Sequence, residues 1–212
     1  AFLDYLTDTA KLNKNLEYRD FQKTPRDRDT GSRVVLLKEH VEAIISWKPT
    51  NERFEKVKDL FLLQVLTGIR FSDLRRLNKS WVKKDKLSFR MYKVPKTVNI
   101  PLHNTAKEIL KKYNYEIGAI CKSIKNYNLD LKLMAEKVGL TETISDLKIT
   151  LTKKIPQESR LCDLISSHVG RSTFITNLII SGVSPYIIIS YTGHTKVSTL
   201  DYYFKLAGDI DT

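Results

Sequence analysis

The segment Glu52–Thr67 constrains the fold of this 212-residue chain most strongly. Its apolar side chains recur at three- and four-residue steps, as at Phe54, Val57 and Leu60, which is the spacing of one helix face. Gly68 follows directly, and glycine after a periodic segment is typical of a helix end because it adopts the left-handed conformation at little cost. The segment predicts a long helix that buries one face and stops at Gly68.

Helical spacing recurs along most of the remaining chain. Ser72 is placed to cap a short helix that carries Leu74, and Ser184 with Pro185 is typical of another helix start. Gly193 then ends that helix. The other predicted helices are Lys38–Trp47, His103–Tyr113 with an extension to Lys122, a helix around Leu129–Val138, His168–Ser181, and a last helix carrying Val197, Leu200 and Phe204.

Two short runs of β-branched and aromatic residues interrupt this helical pattern. Leu87–Tyr92 and Thr97–Ile100 lie on either side of Pro95, so they predict an antiparallel hairpin. Residues 124–160 are ambiguous beyond the helix already named, and Lys148–Thr152 is compatible with a strand. The predicted fold class is mainly α with a small antiparallel β-sheet (α+β).

The composition changes near residue 32. Residues 1 to about 15 carry an apolar pattern that includes Phe2, Leu3 and Leu6, and residues 23–32 form a polar stretch typical of a linker. The chain begins at Ala1, which favours a piece of a longer protein, although N-terminal processing would give the same start. We divide it into residues 1–32 and a main domain of residues 33–212.

The charge of the chain indicates an anionic partner. Lys and Arg number 36 against 24 Asp and Glu, which gives a formal net charge of +12 at pH 7. Such a balance attracts polyanions, so nucleic acid is the first partner to consider, although a solvated basic surface would have the same composition.

Cysteine and histidine placement gives no sign of a metal site. Cys121 and Cys162 stand alone, without a Cys-x-x-Cys pair or a secreted framework, so both are expected to be reduced. The histidines lack the close spacing of a ligand set. They are His40, His103, His168 and His194. We therefore predict no metal and no cofactor.

The chain shows no signal for membrane insertion. No apolar run approaches the ~18 residues that a spanning helix needs, and no basic-then-apolar leader opens the sequence. The sequence therefore predicts a cytoplasmic protein without a membrane partner.

Three short segments place basic side chains and a tyrosine at helix ends. Arg70 follows the glycine that ends the long helix, so it leaves the core in a fixed direction. His168 and Arg171 are three residues apart, which puts both on one helix face. His194 follows the glycine that ends another helix, and Tyr203 comes nine residues later. Each residue alone is compatible with a surface charge or with packing, but together and in this order they favour a shared site.

Together the three segments resemble the signature of the tyrosine recombinase (phage integrase) family. That signature is an Arg in T-G-x-R-x-S-E/D-L, then H-x-x-R, then G-H, and then a Tyr at a fixed distance. The matching stretches here are TGIRFSDL, HVGRSTF and GHTKVSTLDYY. The stretch LIISGVSPYIIISYTGH also follows the family's rhythm of apolar residues around a glycine, and the resemblance spans about Leu37 to Phe204.

This resemblance implies the family's catalytic domain for residues 33–212, and the tail of its N-terminal core-binding domain plus a linker for residues 1–32. It implies a site-specific DNA recombinase or integrase that cleaves and rejoins strands through a 3′-phosphotyrosyl intermediate, without ATP. The motifs are most similar to those of integrases of bacterial mobile elements, with chromosome-dimer resolution as the alternative. The protein would then be associated with DNA in a bacterial cytoplasm.

The resemblance also assigns roles to individual residues. Arg70 and Arg171 would clamp the scissile phosphate, because a guanidinium can hold two oxygens in a planar fork. His168 and His194 would donate hydrogen bonds to the same oxygens or move protons. Tyr203 would attack phosphorus and leave a free 5′-hydroxyl.

A lysine in the hairpin would protonate the departing 5′-oxygen. Lys93 is the aligned residue and Lys96 is its rival, because the usual sequence around the family's lysine is absent here. Asp73 matches the family's acidic position and is expected to orient Arg70 or its segment, although a carboxylate in a first helical turn is equally compatible with stabilising the helix.

Tyr202 and Tyr203 are adjacent, so the choice of nucleophile needs a second argument. At about 100° per residue, Val197, Leu200 and Phe204 form one apolar stripe of a helix. Tyr203 falls at the edge of that stripe and Tyr202 on the solvent side. The helical phase and the family spacing both favour Tyr203.

The implied partners are double-stranded DNA recombination sites, further copies of the chain in a homotetramer on DNA, and accessory DNA-bending or directionality factors. Two other functions stay open. A type IB topoisomerase would use similar chemistry to relax supercoils, and a catalytically inactive DNA-binding regulator could share the fold. A plasmid relaxation assay separates the first from a recombinase, and a suicide substrate that traps a covalent complex separates the second.

Overall fold

A computed structural model describes residues 34–149 and 154–210, with the backbone alone at 145–149, 154–157 and 209–210. The predicted domain tail and linker, residues 1–32, lie outside this part of the chain. No helix within the described ranges is long and apolar enough to cross a membrane.

The described chain is mainly helical, with two small groups of strands between its helices. The helices are α1 (Lys38–Ser46), α2 (Glu52–Thr67), α3 (Phe71–Leu74), α4 (Asn104–Lys112), α5 (Ile117–Ile120), α6 (Ile124–Val138), α7 (Leu161–Leu164), α8 (Ser167–Ile180), α9 (Pro185–Thr192) and α10 (Asp201–Ile210). The strands are β1 (Val82–Lys83), β2 (Lys86–Arg90), β3 (Thr97–Pro101), β4 (Thr143–Ile149) and β5 (Lys154–Arg160).

Helix α2 lies at the centre of the core, and it is the helix that the apolar spacing predicts. Asn51 caps its start by accepting a hydrogen bond from the Phe54 N–H at 3.1 Å, and Gly68 ends it in the left-handed conformation with φ 64°. Helices α4, α6 and α8 pack against α2. A Cβ at Gly68 would lie 2.3 Å from the Phe174 ring of α8, so both the backbone angle and the close approach require glycine.

Strands β1 to β3 form an antiparallel sheet in the order β1-β2-β3. Leu87 pairs with Ile100 and Phe89 with Val98, and all four side chains are buried. The predicted hairpin is confirmed with small changes at its strand ends, whereas the short strand β1 was not predicted. The predicted fold class is also confirmed, because the described chain is mainly helical and its sheets are small and antiparallel.

Strands β4 and β5 form a separate antiparallel hairpin, in which Thr143 lies opposite Arg160. Strand β4 includes the first two residues of the strand considered at Lys148–Thr152, and the rest of that segment lies outside the described residues. Helix α6, which precedes this hairpin, begins earlier than predicted because Ser123 caps it and accepts a hydrogen bond from the Asn126 N–H at 3.2 Å.

Two predicted helix boundaries are wrong for local reasons. Arg70 occupies the N-cap position of α3, so Ser72 lies inside this helix and does not cap it. The helix predicted from His103 to Lys122 is instead two helices, α4 and α5. Between them Asn114 and Tyr115 adopt positive φ angles of 51° and 66°, which a right-handed helix does not contain.

The last predicted helix is wrong in its phase. A 3-10 turn, Val197–Leu200, precedes α10, so the two do not form one continuous α-helix. The buried side chains of this region are Leu200, Tyr203 and Ala207, while Phe204 is 39% exposed. The predicted stripe ending at Phe204 therefore does not form, and Tyr203 lies within the buried face rather than at its edge.

Candidate active site

Helix α8 carries Arg171 as a buried side chain. Gly170 precedes it where α8 packs on α2, and a Cβ there would lie 2.9 Å from the Gln64 Cβ. The missing side chain lets the two helices approach closely. Arg171 is thereby carried into the core and is only 3% exposed.

The Arg171 guanidinium donates hydrogen bonds to two backbone carbonyls at helix ends. Nη1 lies 2.6 Å from the Gly68 oxygen at the end of α2, and Nη2 lies 2.6 Å from the Thr192 oxygen at the end of α9. The helix dipole favours a cation at such C-terminal ends. Burial, and then the nearby Arg70, lower the pKa of Arg171 to about 9, so it stays protonated at neutral pH. Arg171 is therefore a fixed cation inside the core.

Arg70 follows the last residue of α2 by three positions, is half-buried and lines the same cavity as Arg171. Its Nη1 lies 3.7 Å from the Met91 sulfur, just after strand β2. Burial lowers the pKa of Arg70, and the charges of Asp73 and Tyr203 act in the opposite direction. Two guanidiniums held together repel each other unless an anion lies between them, so this arrangement favours an anionic ligand.

His194 contacts Arg171 from the end of helix α9. Its Nδ1 lies 2.9 Å from the Thr192 hydroxyl, and its Nε2 lies 3.5 Å from Arg171 Nη2. The Thr192 hydroxyl already donates its hydrogen to the Ile188 oxygen at 2.6 Å, so it accepts from His194 Nδ1–H. Neutral His194 therefore carries its proton on Nδ1 and presents Nε2 as an acceptor.

A cavity of about 410 Å³ lies beside the two arginines, within the range typical of ligand sites. His168 contributes from the first turn of α8, and Lys93 contributes from the turn between β2 and β3. Lys96, the rival of Lys93, is not among the lining residues. The residues that line the cavity are Arg70, Phe71, Ser72, Arg75, Lys93, Ile124, Ser167, His168 and Arg171.

Tyr203 is not among the residues that line this cavity. It is 2% exposed, and its ring packs edge-on against Tyr202 with centroids 5.8 Å apart. Helix α10, which carries it, packs on α8. The charge of an ionised Tyr203 raises the pKa of both Arg70 and Arg171, against the larger effect of burial, so its hydroxyl is electrostatically coupled to both guanidiniums.

Asp73 is fully buried in α3. The sequence predicts that it orients Arg70 or its segment, and in the structure the charge of Asp73 raises the pKa of Arg70. Its hydrogen bonds, however, come from the backbone N–H of Tyr92 at 2.8 Å and from Arg76 Nη1 at 3.4 Å. The acidic side chain thus contacts the hairpin that carries Lys93.

Sequence reasoning missed several groups that build the site. The carbonyls of Gly68 and Thr192 hold Arg171, the Thr192 hydroxyl orients His194, and Met91 contacts Arg70. The one local signal was Thr192, which comes two residues before His194. Within the described residues, no group of three or more His, Cys, Asp or Glu side chains is arranged to hold a metal ion.

Comparison with known proteins identifies relatives of this chain. Residues 35–208 match the profile of the phage integrase family. The tyrosine recombinase XerD of Oceanobacillus iheyensis is 27% identical over 182 residues, which are 85% of this chain, and the chain spans 60% of that relative's length.

Two solved structures share the fold. The catalytic domain of bacteriophage HP1 integrase has a TM-score of 0.57 at 18% identity, over 83% of this chain and 89% of that one. The Tn1549 transposon integrase, solved in complex with circular intermediate DNA, has a TM-score of 0.57 at 17% identity, over 87% of this chain and 66% of that one.

Proposed function

This chain belongs to the phage integrase family, and we propose that it is the catalytic part of a site-specific DNA recombinase that cleaves and rejoins strands through a 3′-phosphotyrosyl intermediate. The observation that carries the proposal is the pair of guanidiniums, Arg70 and Arg171, beside a cavity that His168 and Lys93 also line. A scissile phosphate fits such a site, because negative charge builds on its oxygens during attack and fixed cations stabilise that charge.

Arg171 would form the rigid half of the phosphate clamp. Its guanidinium is held by two carbonyls before any substrate arrives, so little reorganisation is needed in the transition state. Arg70 would form the other half, and the phosphate would relieve the repulsion between the two cations. His168 would donate a hydrogen bond to the same oxygens from the first turn of α8.

Tyr203 would be the nucleophile. Its oxygen forms a bond to phosphorus while the bond from phosphorus to O5′ breaks, and the energy of the ester is kept for religation. His194 is suited to accept the tyrosine proton, because Thr192 fixes its Nε2 as an acceptor. Tyr203 is 2% exposed and does not line the cavity, so the proposed reaction includes a shift of α10 that brings its hydroxyl to the phosphate.

Lys93 would donate a proton to the departing O5′. It lines the cavity from an exposed turn, where an ammonium can reach a bound strand. Lys96 lies in the same turn but does not line the cavity, which favours Lys93.

Duplex DNA carrying recombination sites would be the substrate. A net charge of +12 favours a polyanion, and the Tn1549 integrase of the same fold was solved on DNA. We extend the proposal to the full-length protein, in which residues 1–32 end a core-binding domain and residues 33–212 form the catalytic domain. That protein would act as a homotetramer on DNA, with accessory bending or directionality factors, in the bacterial cytoplasm.

The proposal is tested by covalent capture on a library of nicked duplexes with random sequence at the centre. The nick releases a short strand after cleavage, so an adduct cannot religate and is retained in SDS. We expect the wild-type chain to form an adduct whose DNA converges on one sequence. DNA binding without any adduct would contradict the proposal and favour an inactive DNA-binding regulator.

A relaxation assay addresses the topoisomerase alternative. A recombinase should leave a supercoiled plasmid that lacks the captured sequence unchanged, whereas a type IB topoisomerase relaxes any plasmid. Sequencing the joints that the full-length protein makes would then separate mobile-element integration from chromosome resolution.

A further inference from the structure

The turn that carries Lys93 is tied to helix α3 by a buried carboxylate. Asp73 is fully buried, and its Oδ1 accepts a hydrogen bond from the Tyr92 N–H at 2.8 Å. Its Oδ2 has no hydrogen-bond partner among the described residues. Burying a carboxylate costs free energy unless it is hydrogen-bonded, and the hydrogen bonds to Oδ1 offset part of that cost.

Arg76 ties the same turn at a second point. Its Nη1 lies 3.4 Å from Asp73 Oδ1, and its guanidinium lies over the Tyr92 ring at 5.4 Å. The guanidinium also lies over the Trp81 ring at 5.5 Å, and Trp81 stacks on Phe89 of β2 at 4.4 Å. Arg76 is thus placed between two aromatic rings, one of which belongs to the turn.

Among the described residues, the ladder between β2 and β3 does not extend to Tyr92 and Lys93. Regular pairing of β2 with β3 stops at Arg90, and a further backbone bond joins Met91 N to Lys96 O at 3.1 Å. Tyr92 is 70% exposed and Lys93 is exposed as well. Because Lys93 follows Tyr92 directly, the hydrogen bond at the Tyr92 amide sets where the lysine backbone begins.

We propose that Asp73 is a positioning residue for Lys93, acting through the Tyr92 amide rather than through Arg70. Arg70 is the N-cap residue of the same short helix, so one helical turn would fix both an arginine of the phosphate clamp and the residue that protonates the leaving group. This inference rests on the proposed function, in which Lys93 is the general acid.

The test compares the variants Asp73→Ala and Asp73→Asn in the full chain. Asparagine keeps an oxygen acceptor for the Tyr92 amide and places its NH₂ at the position of the oxygen without a partner, whereas alanine removes the acceptor. Each variant is given the captured duplex with either oxygen or sulfur at the bridging 5′ position. A sulfur leaving group needs little protonation, so it reports loss of the general acid specifically.

We expect Asp73→Ala to cleave the oxygen substrate about 10–100-fold more slowly. The upper value is about the smallest rate loss expected when a general acid is removed entirely. Cleavage of the sulfur substrate should return to near the wild-type rate. Asp73→Asn should stay within a few-fold of wild type on both substrates. Equal slowing of Asp73→Ala on oxygen and sulfur, or equal slowing of both variants, would overturn the inference.

Hydrogen exchange at the Tyr92 amide provides a readout that does not depend on cleavage. Exchange should accelerate in Asp73→Ala and stay slow in Asp73→Asn, while the Leu87 amide within β2 stays protected in both variants. Unchanged Tyr92 exchange in Asp73→Ala would overturn the inference even if cleavage changed. Absence of an adduct from the wild-type chain would instead overturn the proposed function, and the amide measurement would still test the contact.

Discussion

Arg171 and Lys93 line the same cavity but are held in opposite ways. Arg171 is 3% exposed and bonded to the ends of two helices, so its position is set by the packing of the core. Lys93 extends from an exposed turn that is tied down through its neighbour Tyr92. The arginine of the proposed clamp is therefore fixed by the fold, while the proposed acid depends on a local attachment.

This difference matches what the two groups would do. A cation that stabilises charge in a transition state is most effective when it is already fixed. A proton donor must approach the leaving oxygen and then withdraw, which an exposed turn permits. We therefore expect changes around Arg171 to affect both folding and cleavage, and changes around Lys93 to affect cleavage alone.

The largest effect should come from Arg171→Lys. An ammonium cannot bond both helix-end carbonyls and also hold two phosphate oxygens, so adduct formation should fall about 10²–10³-fold. The midpoint of thermal unfolding should also fall, because a carbonyl is left without its donor. Arg75→Lys is the matched control, since Arg75 lines the same cavity but is exposed, and it should stay within a few-fold of wild type. Equal losses of adduct formation in the two variants would show that holding Arg171 in the core does not matter for cleavage.

The next largest effect is expected at Lys93, the exposed residue of the two. Lys93→Ala should slow cleavage of the oxygen substrate about 10²-fold while leaving the unfolding midpoint and DNA binding unchanged. A bridging 5′ sulfur should restore most of the rate. Lys96→Ala is the control and should cleave both substrates normally. If the sulfur rescue appears with Lys96→Ala instead, the assignment of the general acid is wrong.

A smaller effect, on the free energy of unfolding, is expected at Gly193, where the surroundings of Arg171 meet the hairpin that carries Lys93. Its φ is 67°, and a Cβ there would lie 2.2 Å from the Met91 sulfur. Gly139 also has a positive φ, 95°, but a Cβ there would meet nothing within 4 Å. Gly139→Ala should cost about 1–2 kcal/mol of unfolding free energy from backbone strain. Gly193→Ala should cost a further ~1–3 kcal/mol from overpacking. Urea unfolding measures both values, and equal losses would mean that Met91 moves aside freely.

Local patterns in the sequence predicted much of the fold. The spacing within Glu52–Thr67 and the glycine after it sufficed for α2, because both the helical period and the cap are properties of adjacent residues. Predictions failed where backbone geometry changed over one or two residues. A 3-10 turn before α10 shifted the helical phase, and the positive φ angles at Asn114 and Tyr115 split one predicted helix.

The candidate site was likewise predictable only in part. The motif residues could be selected from order and spacing, and the resemblance supplied their roles. The partners that hold them could not be selected, since the Gly68 carbonyl is 103 residues from Arg171 and the Tyr92 amide is 19 residues from Asp73. Backbone groups carry no side-chain signal, so only the folded chain reveals these contacts.

Tyr203, and not the adjacent Tyr202, is the residue that we propose attacks the phosphate. Tyr203→Phe should abolish the SDS-resistant adduct and leave non-covalent DNA binding near normal, whereas Tyr202→Phe should still form it. Trypsin cleavage after Lys196 and Lys205 releases both tyrosines in one peptide, so fragmentation of that peptide from the trapped adduct is the decisive measurement. We expect the nucleotide remnant on Tyr203, and a remnant on Tyr202 would contradict the proposed mechanism.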